Sequence, residues 1–318
     1  MLIWLVLIPL IAAALIGLCK APARPTALLS ASLTLALGIW ALVSFDGCSS
    51  CWSRFEGMDL QLTLAPALSK VMLLLTILVT FATVLGTNPP QGGEASWYNS
   101  ALLISAGATG AFLSDNIISF FAFHELALIP TFVMIGLYGR GDRRTTAWRA
   151  TLYLGLASMV LLAALLMIGT QAGFTFSGLK DFMASGRELA HAELIGALLI
   201  AGFGTLISLF PFHSWAAPAY ASAPAPVAMM HAGVLKKFGL YGLFMFQPLM
   251  ETGFLPWTNI LLVLLVCNVI WVGYVTVNQK RLDLLLGNSS VMHMGYIFLA
   301  FAALVVSGSA EANPWALK

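Results

Sequence analysis

The run NIISFFAFHELALIPTFVMIGLY, Asn116–Tyr138, decides the fold class. It is apolar from end to end except near its middle, where Glu125 sits beside His124. As a helix rising about 1.5 Å per residue, it is long enough to cross a hydrocarbon core of about 30 Å. A carboxylate halfway along then lies close to the bilayer midplane. Burying a charge there costs about 2.5–3.5 kcal/mol on insertion scales, so such a residue has a partner or a task. Movement of an ion or proton is the first functional expectation.

Composition extends this reading to the whole chain. Of 318 residues, 60% are hydrophobic and 9% charged, with a mean hydropathy of +0.92. That leaves too little polar surface to wrap a soluble body of this size. Apolar runs at 2–19, 27–45, 67–86, 98–114, 116–138, 150–172, 194–212, 227–247, 258–277 and 284–306 predict an all-α, polytopic membrane protein of about ten spans. No linker or low-complexity tract interrupts them, so residues 1–318 are expected to form a single transmembrane domain, with 1–97 as N-terminal helices.

The charges set an orientation. The first span lacks the basic residues that precede a signal peptide's apolar stretch, and Lys20 and Arg24 follow it instead. With the N-terminus outside, Lys20, Arg24, the cluster Arg140, Arg143, Arg144 and Arg149, and the pair Lys280–Arg281 all fall inside, as the positive-inside rule requires. The net charge of +2 is therefore a topology signal, and no nucleic-acid partner is expected. Nor is there a phosphate loop, a serine-hydrolase order or a His-Glu-x-x-His metal pair. Cys48 and Cys51, in an outer loop 46–66, suit a short disulfide or two inert thiols, with a redox or metal role as the alternative. Cys19 and Cys267 read as small hydrophobes. The polar stretch 173–193 is either a solvated loop or a short amphipathic helix at the interface.

The second informative segment is Phe210–Tyr241. Pro211, Pro218, Pro224 and Pro226 interrupt an otherwise nearly continuous apolar stretch and predict a broken helix. Freed backbone groups at membrane depth are tolerated where they are buried in protein or line a wet cavity, as at transporter ion sites. His213, His231, Lys236 and Lys237 fall in or just after the break. Lys237 lies near the middle of its span, too deep to snorkel easily. A structural Lys–Glu pair and a hydrogen-bonding packing histidine are the plain alternatives to proton carriers.

Four ordered motifs carry a resemblance: FHELALIP with FVMIGLYG, PFHSW, ASAPAPVAMMHAGVLKKFGLYG, and SSVMHMG with His293. From about Asp115 to Gly295 the chain resembles the antiporter-like subunits of respiratory complex I, above all the M-type chain, the counterpart of mitochondrial subunit 4. The resemblance implies an inverted-repeat fold, with 98–247 as a first half-channel repeat and 258–318 as the start of a second, incomplete repeat. It further implies a proton-translocating subunit of NADH:quinone oxidoreductase in the bacterial inner membrane, beside other antiporter-like membrane subunits and the lipid bilayer. Flavin, iron–sulfur clusters and quinone are then expected in partner subunits, with no cofactor and no metal in this chain. Glu125, followed by Pro130, maps onto the family's functional acid and Lys237, in KFGLYG, onto its eighth-helix lysine. His231 completes the expected relay, with His213, Lys236 and His293 as secondary candidates.

The chain departs from the family pattern at several positions. Leu206 stands where the family's seventh-helix lysine usually pairs with the glutamate, Asp283 where a basic residue is usual, and Tyr220 where M-type chains often carry a second histidine. Relatives also continue into a second broken helix, so the chain reads as truncated after Lys318. A relay rerouted through Lys237 is the expectation, with Lys236 mattering less. A multisubunit Na+/H+ antiporter, a membrane-bound hydrogenase subunit and a non-conducting scaffold are the alternatives.

Overall fold

In the computed structural model, residues 1–44, 49–53 and 60–307 are described. The helices among them are α1 (Leu2–Gly17), α2 (Ala23–Ser44), α3 (Ala67–Gly86), α4 (Glu94–Leu113), α5 (Ile117–Tyr138), α6 (Arg143–Ala172), α7 (Phe176–Ala184), α8 (Ala192–Ile207), α9 (Ala216–Ser222), α10 (Ala225–Met230), α11 (Lys237–Met245), α12 (Thr258–Val277) and α13 (Leu282–Ser307). They form two compact units. One comprises Met1–Gly139 with Pro224–Leu235; the other comprises Arg140–Ala223 and the chain from Lys236 onward.

One sequence expectation needs correction and another is met in part. The fold is not wholly helical, because strands β1 (Ser49–Ser53) and β2 (Leu60–Thr63) pair antiparallel in the loop 46–66. An irregular loop would have left its backbone groups to find partners elsewhere. The ribbon satisfies them and also takes in the α4–α5 connection, where Asp115 N–H donates to Gln61 O at 2.9 Å. The question of a Cys48–Cys51 disulfide lies outside the described residues.

The expectation of ten spans is met in part. Among the described residues, six helical stretches are long and apolar enough to cross a membrane: Ala23–Ser44, Ala67–Gly86, Ile117–Tyr138, Arg143–Ala172, Gln247–Val277 and Leu282–Val306. The expected spans 2–19 and 194–212 are shorter apolar helices, α1 and α8. The run 98–114 lies within α4, whose Gly, Ala, Ser and Thr residues lower its hydropathy although almost all of it is buried. The run 227–247 is split by a π turn, His231–Leu235, between α10 and α11. The stretch 173–193 contains α7, which buries Phe176 and Leu179.

Close helix packing in the first unit rests on absent side chains. A Cβ on Gly107 would lie 2.6 Å from Phe123 O and 2.7 Å from Ala127 N, and one on Gly110 would lie 2.5 Å from the Phe123 ring. Small residues at such a spacing let α4 and α5 touch backbone to backbone. The π turn packs on α3 and α5, with Gly233 close against Val79.

The second unit uses the same device. Gly239 and Gly242 of α11 meet Phe203 and Ile207 of α8, where a Cβ would stand 2.5 Å from Ile207 and 2.3 Å from the Phe203 ring. The glycines of KFGLYG are therefore the contact face of α11. Arg140, in the connection before α6, lies beside the end of α9. There Arg140 N–H donates to Ser222 O at 2.7 Å, and Ser222 Oγ donates to Arg140 O at 2.8 Å.

Candidate functional site

Glu125 is held by a well-defined helix. Asn116 caps α5, its Oδ1 accepting from Ile118 N at 2.9 Å and Ser119 N at 3.0 Å. Pro130 has no N–H, so the carbonyl of Leu126, next to Glu125, lacks its helical donor. The Glu125 side chain is 31% exposed and its Oε1 is 3.2 Å from Nδ1 of His124, whose side chain is fully buried. The His124 ring lies between Phe120 and Phe121, both with centroids at 6.4 Å. This imidazole, directly beside the carboxylate, was missed as a site residue in the sequence. Its signal was adjacency to Glu125 in a run with no other ionisable group.

His231 opens the π turn and is buried. Because that turn packs on α5, the first unit brings together the elements carrying Glu125 and His231. A π turn departs from the regular hydrogen-bond ladder, and such turns are frequent at functional sites.

The second unit holds the end of α8 and the stretch through α9 where the break begins. α8 ends at Ser208 in a left-handed conformation, φ 69°, where its N–H and that of Leu209 turn back onto carbonyls of the last turn of α8. Trp215 Nε1 donates to Thr205 O at 3.2 Å, a second donor to a carbonyl that also accepts from Ser208 N–H. Buried Asn268, in the middle of α12, pins the break: its Oδ1 accepts from Phe210 N at 3.2 Å and its Nδ2 donates to Val291 O at 3.3 Å. Leu206 is buried. His213 is half-buried and stacks on Phe210, centroids 5.4 Å apart.

Asn268 was also not singled out in the sequence, although one amide inside LLVLLVCNVIWVG is a legible signal. Asn268→Leu leaves the Phe210 N–H without its partner. We expect a loss of about 1–3 kcal/mol, read as a lower thermal midpoint of the purified protein in detergent. An unchanged midpoint would show that the pin is dispensable.

The two lysines differ. Lys236 is 1% exposed and its Nζ donates to Ser290 Oγ on α13 at 3.3 Å, whereas Lys237, which the motif register selects, is only partly buried. His293 is exposed on α13, its Nδ1 within 2.7 Å of Ser289 O. Among the described residues no three His, Cys, Asp or Glu side chains form a group able to hold a metal.

Comparison with known proteins places this arrangement in a family. Residues 114–312 match the model described as NADH:quinone oxidoreductase/Mrp antiporter, transmembrane. The chain is 32% identical over 248 residues to NAD(P)H-quinone oxidoreductase chain 4 2 of Microcystis aeruginosa, which covers 76% of this chain and 44% of that protein. It is 30% identical over 264 residues to chain 4 1 of a Picosynechococcus, covering 81% and 48%. It thus spans just under half the length of these curated relatives. A chain in the structure of respiratory complex I from Thermus thermophilus superposes with a TM-score of 0.84 at 26% identity, covering 95% of this chain and 65% of that one. A chain of the Mrp complex from a Dietzia shares the fold, TM-score 0.84 at 21% identity, covering 99% of this chain and 35% of that one. The protein is a multi-pass membrane protein, and it belongs to the NADH:quinone oxidoreductase/Mrp antiporter transmembrane family.

Proposed function

We propose that this chain is part of a proton-translocating membrane subunit of an NADH:quinone oxidoreductase, one that couples quinone reduction in other subunits to proton transfer through its buried Glu, Lys and His side chains. The observation that carries the reading is the His124–Glu125 pair, a 3.2 Å contact halfway along a membrane-length helix. In water such a pair is ordinary. At membrane depth it is costly unless it exchanges protons or pairs with charge.

In this reading Glu125 takes up and releases the proton, Lys237 and His231 receive it, and His213, Lys236 and His293 are secondary. Each change of protonation biases its neighbours by Coulomb interaction, which is strong where the dielectric is low. Ten traverses, the seventh over 194–212 and the eighth over 227–247, keep the Lys and Arg clusters on the inner side. The chain holds no redox group of its own; flavin, iron–sulfur clusters and quinone belong to partner membrane and peripheral subunits in the bacterial inner membrane.

A sodium/proton antiporter subunit is the second reading, favoured by the shared family description and the likeness to the Dietzia Mrp fold. The test is the complex purified with its native partners and reconstituted in liposomes holding a pH-sensitive dye. We expect acidification driven by NADH with a soluble quinone and indifferent to sodium. Proton movement driven by a sodium gradient without NADH would replace this reading by the antiporter.

A further inference from the structure

The most completely buried charged side chain in the second unit is Lys236, one residue from the lysine that the motifs select. Its Nζ lies 3.3 Å from Ser290 Oγ and 5.4 Å from the centroid of the Tyr220 ring. The Tyr220 side chain also hydrogen-bonds Ser290. Three elements, the start of α11, the end of α9 and the middle of α13, thus bring an amine, an aromatic face and a hydroxyl together. Gly287 fixes the contact between α13 and α9, since a Cβ there would lie 3.0 Å from the Ala217 backbone.

We propose that Lys236, Ser290 and Tyr220 form a proton-holding site, with Lys236 as the group that is loaded and unloaded. The proposal rests on the reading that the chain moves protons. Ser290 and Tyr220 carry no charge, and the charge nearby is the like one of Lys237. Desolvation therefore works against the ammonium, while the ring face and the hydroxyl oxygen work for it. Such opposition brings the loaded and empty states close in free energy, as a transfer site needs. A carboxylate in contact would instead have locked the proton in place.

Ser290 supplies the exit, because a hydroxyl accepts and donates at once. The ammonium passes a proton from Nζ to Ser290 Oγ, and Ser290 releases its own hydroxyl proton to a water molecule. The amine ends neutral, the serine unchanged, and one proton has moved. Tyr220 is a positioning residue: its ring holds the charge and its phenol orients Ser290. Tyr220 and Lys236 are thus the two halves of one site, which accounts for a ring at position 220 where the family often has a second histidine.

The experiment uses the assembled complex in liposomes, with protons moved per electron as the readout and a native gel as the check on assembly. Lys236→Met, neutral and of similar length, is expected to lower proton movement about tenfold or more, in the range of an acid–base group. Tyr220→Leu should lower it severalfold, while Tyr220→Phe, which keeps the ring, recovers much of that loss. Ser290→Ala should slow turnover without lowering assembly. Wild-type proton movement in assembled Lys236→Met overturns the site. Should that variant fail to assemble, Tyr220→Leu decides alone, because it leaves the amine in place; full activity there overturns it equally. Glu125→Gln separates the two levels. If it stops proton movement while Lys236→Met does not, this site falls and the proposed function stands; if the wild-type complex moves no protons, the proposed function falls.

Discussion

Glu125→Gln is expected to remove most proton translocation, by about tenfold or more, equivalent to at least about 1.4 kcal/mol in the transfer barrier, while leaving the complex assembled. The amide keeps the volume of the carboxylate beside the His124 ring, 3.2 Å away, but it cannot exchange a proton. Glu125→Asp shortens the reach and should retain part of the activity. The measurement is acidification of inverted membrane vesicles beside a native gel. Wild-type pumping by an assembled Glu125→Gln complex would reject the relay. Loss of assembly without a pumping complex to examine would make Glu125 a structural partner, which is also the outcome that a scaffold role predicts.

Gly107→Ala should reduce the folded protein itself, and Gly107→Val should leave little of it in the membrane. The added Cβ meets backbone, Phe123 O at 2.6 Å and Ala127 N at 2.7 Å, and these atoms cannot rotate away as a side chain could. The helices must separate, and overpacking of this kind costs about 1–3 kcal/mol or more. Because α5 carries His124 and Glu125, the displacement reaches the site even in whatever protein does fold. Membrane yield and thermal midpoint in detergent report the effect. Gly155→Ala is the control: nothing lies within 4 Å of its added methyl, and alanine favours a helix more than glycine. Equal midpoints for Gly107→Ala and wild type would mean that α4 and α5 do not approach as described.

The position of Glu125 halfway along an apolar helix and the break in the helix before Lys236 were legible without coordinates. A lone carboxylate inside an apolar run longer than the bilayer core has one natural depth, and prolines at 211, 218, 224 and 226 cannot continue a hydrogen-bond ladder. The span at 98–114 was legible as well, but its role was not. Hydropathy ranks α4 below its neighbours because it is built from small and hydroxyl residues, the composition that lets it sit buried between α1 and α5. The ribbon in the loop 46–66 left no comparable trace, since strand pairing there is decided by the partner segment and by the α4–α5 connection beside it.

By itself the sequence determined that the chain lives in a membrane, where its long helices lie, that the chain is interrupted around the prolines and that a carboxylate stands halfway along one long apolar helix. Run length and the chemistry of proline settle those points, and neither depends on what a helix packs against. Only the tertiary structure decided which of two adjacent lysines is buried, that Ser290 and Tyr220 flank it, and that Asn268 pins the break. In a soluble helix the polar face would have announced the direction of each residue, but these helices are apolar on every side, so no stripe in the sequence marks the face turned inward. That direction is set by glycines that admit a neighbouring backbone and by single hydrogen bonds between distant segments, which exist only once the helices have met.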